Sequence, residues 1–130
     1  MFCSGLLEKD INITKTDLNV ETMERVLYIL LLKIKHPLPS EEEFNHWYEE
    51  NHIPRVLKSL GFKCAHRYKG SEGFFATIYE LPSEEQIQKI KNSKELYEFR
   101  KEFMDLWGAY FESIRDFFVY MKTIKKKRGN

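Results

Sequence analysis

The chain has 130 residues, of which 42% are hydrophobic and 32% charged, a balance that fits one globular domain and excludes a disordered chain. A formal net charge of +1 gives no field to gather a polyanion, so nucleic-acid binding would need a local basic patch. Cys3 and Cys64 lie far apart without metal-ligand spacing, which argues against a zinc site or a disulfide framework; with an aliphatic run, VLYILLL, too short for a bilayer, this predicts a soluble protein in a reducing, cytoplasmic setting.

Residues 1–23 show no sustained period and read as an N-terminal arm, ahead of a domain over residues 24–124 and a basic tail over residues 125–130. The run RVLYILLLKIK, closed by His36-Pro37, predicts the first strand. Ser40 followed by Glu43 is a capping box that opens a helix, with acidic residues at its positive end. GFKCAHRYKG and GFFATIYEL predict two strands joined through the glycines of KGSEG as a hairpin. Ser83 with Gln86 predicts a short helix, and Ser93 caps a longer one expected from Lys94 to about Ser113. Its buried stripe runs through Leu96, Phe99, Phe103, Leu106, Trp107, Tyr110 and Ile114. DFFVYMKTI is then the last strand.

The order βαββαβ predicts an α+β, ferredoxin-like fold, a four-stranded antiparallel sheet with both helices on one face. Its strands are apolar on both parities, so the bare face needs a cover. A second copy, sheet against sheet, is the economical cover and makes the expected partner a homodimer; the arm is the alternative.

The stretch EEFNHWYEENHIPRVLKSLGF carries more chemistry than a helix needs to cover a sheet. On a regular wheel Phe44, Trp47, Tyr48, Asn51 and Arg55 share one side, while His46 points to the surface. Phe44 and Trp47 suit the core. Tyr48, Asn51 and His52 bring a phenol, an amide and an imidazole to the edge of that face. Pro54 lacks an N–H and biases Ile53 away from helical geometry, so a bend or restart is expected at residues 52–54, beside His52. An imidazole there either works as a general acid or base or simply bonds a freed carbonyl.

FNHWYEENHIPRVLKSLGFKCAHRYKG resembles the WY-x-x-x-H-x-P…GF…R-Y pattern of the dimeric α+β barrel superfamily, particularly its EthD-like branch. The resemblance spans about residues 25–124, with the motif itself confined to Phe44–Tyr68. It implies a homodimer whose sheets close into a barrel, with a pocket in each subunit between sheet and helices. That superfamily includes polyketide cyclases and decarboxylases, cofactor-free monooxygenases and haem-degrading enzymes. Trp47, His52, Pro54, Phe62 and Arg67 match the pattern, and His52 is the functional position it implies.

The hairpin supplies a second pocket wall. Phe62, Cys64, His66 and Tyr68 are expected on one strand face and Lys63, Ala65 and Arg67 on the other. If the first face meets the helices, His66 and Tyr68 line the pocket; if the second does, Arg67 is an anion holder. Cys64 reads as a buried small hydrophobe, and Tyr28 and Tyr79 either reach the cavity or pack a dimer. His52 and Tyr48 are therefore the candidate catalytic residues, and Trp47, Asn51, His66, Arg67 and Tyr68 the candidate substrate-binding ones. The expected function is acid/base chemistry on an aromatic or polyketide-like small molecule, without cofactor or metal. The alternatives are a non-catalytic dimeric binder of a hydrophobic molecule and an RNA-recognition module of the same topology, which would need the bare face open.

Overall fold

Alternation along β1 (Val26–Ile34) divides the molecule into its two sides. Val26, Tyr28, Leu30 and Leu32 are buried under the helices, while Leu27, Ile29, Leu31 and Lys33 turn the other way. The structure is a computed structural model that describes residues 25–127. The expected arm, and residues 128–130 of the expected tail, lie outside the described residues.

After β1 the chain enters α1 (Glu41–Trp47), where the Ser40 hydroxyl accepts the Glu43 N–H at 3.1 Å, as the capping box requires. A π-helical turn over Tyr48–His52 leads into α2 (Ile53–Leu60), which ends at Gly61 with φ 72°, a left-handed cap natural to glycine. β2 (Cys64–Lys69) and β3 (Phe74–Leu81) form the hairpin, closed by a 2.8 Å bond from the Gly70 N–H to the Phe74 carbonyl. Two helices, α3 (Gln86–Lys91) and α4 (Lys94–Trp107), precede β4 (Phe111–Val119). The sheet order is β2-β3-β1-β4, antiparallel throughout, which is the ferredoxin-like βαββαβ arrangement.

The core between sheet and helices is dense with rings. Phe44 is fully buried, with ring centroids 4.8 Å from Phe111, 5.0 Å from Trp107 and 5.3 Å from Tyr48. Tyr28 and Tyr79 belong to this side, so neither packs on the bare face.

Several local expectations are corrected. α4 stops at Trp107, and Ile114 is 72% exposed on the bare face of β4, while Leu106 is exposed on α4. β4 begins at Phe111 because FESIRDFFV alternates, with Phe111, Ser113, Arg115 and Phe117 turned toward the helices and Glu112, Ile114, Asp116 and Phe118 away. It ends at Val119, short of the expected Ile124. Ser83 does not cap α3 with its side chain; its carbonyl takes the Gln86 N–H at 3.2 Å. Ile53 stays helical, with φ −59° and ψ −46°, despite the proline after it.

The second sheet face is uncovered among the described residues. It presents Leu27, Ile29, Leu31, Ala76, Ile78, Ile114, Phe118 and Tyr68, interrupted by Lys33, Glu80, Glu112 and Asp116. No helix among these residues is long and apolar enough to cross a membrane.

Candidate functional site

The π turn positions His52. Its closing bond runs from the Ile53 N–H to the Tyr48 carbonyl, five residues back rather than four. Widening the turn here absorbs Pro54, which has no N–H to give and would crowd the Glu50 carbonyl in a regular helix. On a regular wheel residues 48 and 52 differ by about 40°. The wider turn brings His52 more nearly into line with Tyr48 and carries Asn51 outward. Accordingly His52 and Tyr48 are buried and Asn51 is exposed.

The His52 imidazole lies in an aromatic box. Trp47 and Tyr48 stack on it at centroid distances of 4.9 and 5.1 Å, and Phe99 meets it edge-on at 5.8 Å. Its Nδ1 is buried and has no hydrogen-bond partner among the described residues. Burial, and then the neighbouring Arg55 guanidinium, lowers its pKa from 6.5 to about 4, so the ring is neutral at neutral pH. The Tyr48 hydroxyl accepts a 3.3 Å bond from Thr77 Oγ1, and burial raises its pKa above 10.0, keeping the phenol protonated.

His52 borders a small cavity of about 30 Å³ between α2, α4 and the sheet. Val56, Leu60, Leu96, Phe99 and Phe103 supply its apolar wall, and Tyr28, Arg100 and Arg115 its other polar groups. This space holds a water molecule or a carboxylate but not an aromatic ring, since sites for drug-sized ligands run to about 300 Å³ or more. Half-buried Phe99 and exposed Arg100 are the wall side chains that can swing aside at low cost.

The remaining sequence-predicted residues separate from this cavity. Asn51 Oδ1 accepts both Arg55 Nε, at 3.1 Å, and an Arg55 terminal nitrogen, at 2.7 Å; that guanidinium also bonds Glu102 on α4 at 2.8 Å. Strand parity settles the hairpin: the face of β2 that meets the helices carries Ala65 and Arg67. Arg67 is sandwiched against rings, 4.6 Å from the Tyr48 centroid and 5.4 Å from that of Phe75, and bonds Asn45 and Glu49, each at 2.9 Å. It is half-buried with a carboxylate partner in place, while its Nε and one terminal nitrogen are buried without a hydrogen-bond partner among the described residues. His66 and Tyr68 lie on the opposite, bare face, where His66 Nε2 meets a Glu80 carboxylate oxygen at 2.9 Å. They do not reach the helix-side cavity.

Phe62, just before β2, does not share the face of His66: it stacks on Tyr79 at 4.7 Å, under the helices. Cys64, His66 and Glu80 lie close enough together to suggest a metal-binding set. Cys64 is buried, as expected, but it is disulfide-bonded, so it offers no thiolate to a metal. That bond runs against the disulfide-free, reducing setting expected from the cysteine spacing.

Arg100, Arg115 and Tyr28 complete the cavity. Arg115 fell between the expected end of the long helix and the expected start of the last strand. The alternation of FESIRDFFV was the signal that could have placed it.

No protein-family model matches the chain, and no curated protein matches it in sequence. Solved structures do match. An EthD family protein from Bacillus halodurans is 18% identical, covers 71% of this chain and 96% of its own, and superposes with a TM-score of 0.53. A mutant of SnoaB, a cofactor-independent oxygenase from Streptomyces nogalater, is 11% identical, covers 79% and 99%, and gives 0.56. A dimeric protein of unknown function and ferredoxin-like fold from Bacteroides fragilis is 15% identical, covers 74% and 96%, and gives 0.51. At these identities the likeness is one of fold: the chain shares the ferredoxin-like βαββαβ fold with these structures.

Proposed function

We propose that the chain works as a homodimer, bare sheet face against bare sheet face, and carries out cofactor-independent acid/base chemistry on an aromatic or polyketide-like small molecule. The reaction is of cyclase, decarboxylase or monooxygenase type. His52 moves the proton, Tyr48 orders the ring from one side, and Trp47 shields it from the other. The observation that carries this reading is the buried His52 Nδ1, unpartnered among the described residues beside a cavity walled by apolar and aromatic groups. A polar atom left without a partner in the interior costs stability, so its retention favours a role in binding or proton transfer. A neutral imidazole accepts a proton from an acidic C–H or O–H of a bound substrate, and the negative charge left on the substrate then stabilises the imidazolium. The fold shared with a cofactor-independent oxygenase supports the same reading. Asn51 contributes by holding Arg55, Arg67 by bracing Tyr48, and His66 and Tyr68 as part of the dimer face.

The test is an assay of hydroxylated two- and three-ring aromatics without added metal or cofactor, following absorbance and oxygen uptake. At least one compound should turn over, and His52→Ala should lower kcat by about 100-fold or more while Tyr48→Phe has a smaller effect. Turnover that survives His52→Ala rejects the assignment. Saturable quenching of tryptophan fluorescence with no turnover would make the protein a binder.

The dimer has its own test. Light scattering should give twice the chain mass with or without residues 1–23. Ile114→Asp, which puts a further charge midway along the edge strand β4 on the bare face, should yield monomer, because an unpaired carboxylate buried between two sheets costs several kcal/mol (order of magnitude). A monomeric parent protein overturns the sheet-to-sheet arrangement.

A further inference from the structure

The cavity beside His52 holds more positive charge than its surroundings explain. Arg115, on the helix-facing side of β4, and Arg100, on α4, both line it. Neither has a carboxylate partner among the described residues, whereas Arg55 and Arg67 each do. Arg115 donates to Ser113 Oγ at 2.7 Å, and Arg100 donates to the Tyr28 hydroxyl at a long 3.4 Å. The remaining guanidinium N–H groups and the phenol proton are therefore available where the cavity needs donors. Burial lowers the pKa of Arg115, and the neighbouring Arg100 guanidinium adds to that lowering by repulsion while Tyr28 opposes it. A protein core usually avoids such a pair or places an acid between them.

We propose that this cavity receives the carboxylate of a small aromatic or otherwise apolar organic acid, held by Arg115 and Arg100 with the Tyr28 hydroxyl as a third donor. A guanidinium fork matches the planar carboxylate, and the volume of about 30 Å³ is of carboxylate size. Val56, Leu60, Leu96 and Phe99 give the organic part an apolar surface. The substrate's negative charge then stands near His52 and makes that ring a stronger base when substrate is bound than when it is not. The inference rests on the reading of the His52 cavity as the ligand site and names the substrate class for it.

The experiment uses the full chain with labelled histidines and two probes of one shape, benzoate and benzamide. The imidazole resonances of His52 are followed by NMR as each probe is added, and the titration of His52 is repeated at saturation. Benzoate should shift the His52 resonances, bind about tenfold or more tightly than benzamide, and raise the His52 pKa. Arg100→Gln, at an exposed position, should remove most of that preference and leave benzamide unchanged; Arg115→Lys, which keeps the charge without the fork, should remove part of it.

Equal binding of the two probes at His52 overturns the carboxylate assignment while leaving the ligand site itself standing. Benzoate binding that is insensitive to both arginine variants, or that moves only His36, His46 or His66, overturns it as well. Failure of both probes to move His52 overturns it too, and the turnover assay then decides separately whether the cavity is a site for neutral aromatics.

Discussion

Phe44→Ala should remove about 3–5 kcal/mol of folding stability, the cost of emptying a ring-sized space in a packed core. Phe44 is fully buried and touches rings from every layer that surrounds it: Tyr48 from its own rod, Phe75 and Phe111 from the sheet, and Phe103 and Trp107 from α4. These neighbours belong to different elements, so collapse into the gap would require the helices to move against the sheet. Urea denaturation should show a lower midpoint at an unchanged slope. His46→Ala, on the exposed side of the same helix, should change stability by no more than about 0.5 kcal/mol. A Phe44→Ala protein as stable as its parent would mean that these rings do not form one packed unit. With net stabilities of domains at about 5–15 kcal/mol, the loss would leave a marginal fold.

The second large effect is acid destabilisation through His52. Its folded-state pKa is lowered from 6.5 to about 4, first by burial and then by Arg55. As the pH falls through 6.5 the unfolded chain takes up a proton at this position, and the folded one does not until about 4. The stability contributed by the neutral imidazole is thus complete above 6.5 and is lost as the pH falls from there toward about 4. Over that window the loss amounts to about 3 kcal/mol. Carboxylates titrate at the lower end of the same range, so the informative quantity is the difference between the parent and His52→Leu. The parent should lose stability with acid more steeply than the variant, and parallel curves would show that His52 protonates freely in the folded state.

The parts of this fold that were legible in the sequence are those in which local chemistry and the buried pattern agree. Ser40 and Ser93 cap helices as hydroxyls before an acidic first turn should, and the KGSEG glycines sit where the hairpin turns, whereas Gly61, which opens a segment expected as strand, caps the preceding helix. Ile114 misled because it lies four residues beyond Tyr110, a helical spacing, while the strand alternation it belongs to starts only at Phe111. The candidate site was half visible. His52, Tyr48 and Trp47 do converge, but the π turn that aligns them depends on how the rod packs over the sheet, and no residue spells it out. Arg115 reaches the cavity across a strand pairing with Leu30, a contact between distant parts of the chain. The face of β2 that meets the helices was likewise undecidable until its register with β3 fixed Arg67 opposite Thr77.

The sheet order also governs how the chain reaches this state. The hairpin of β2 and β3 closes locally and fast, but β1 is flanked by β3 on one side and, on the other, by β4, the last strand among the described residues. On a ribosome, one hydrogen-bonding edge of the most aliphatic strand therefore stays open until Phe111–Val119 has emerged. Pairing between such distant segments carries the loop-closure cost that slows folding. An unpaired β1 edge in that interval is the point at which a nascent chain is most exposed to pairing with a neighbour instead of with itself.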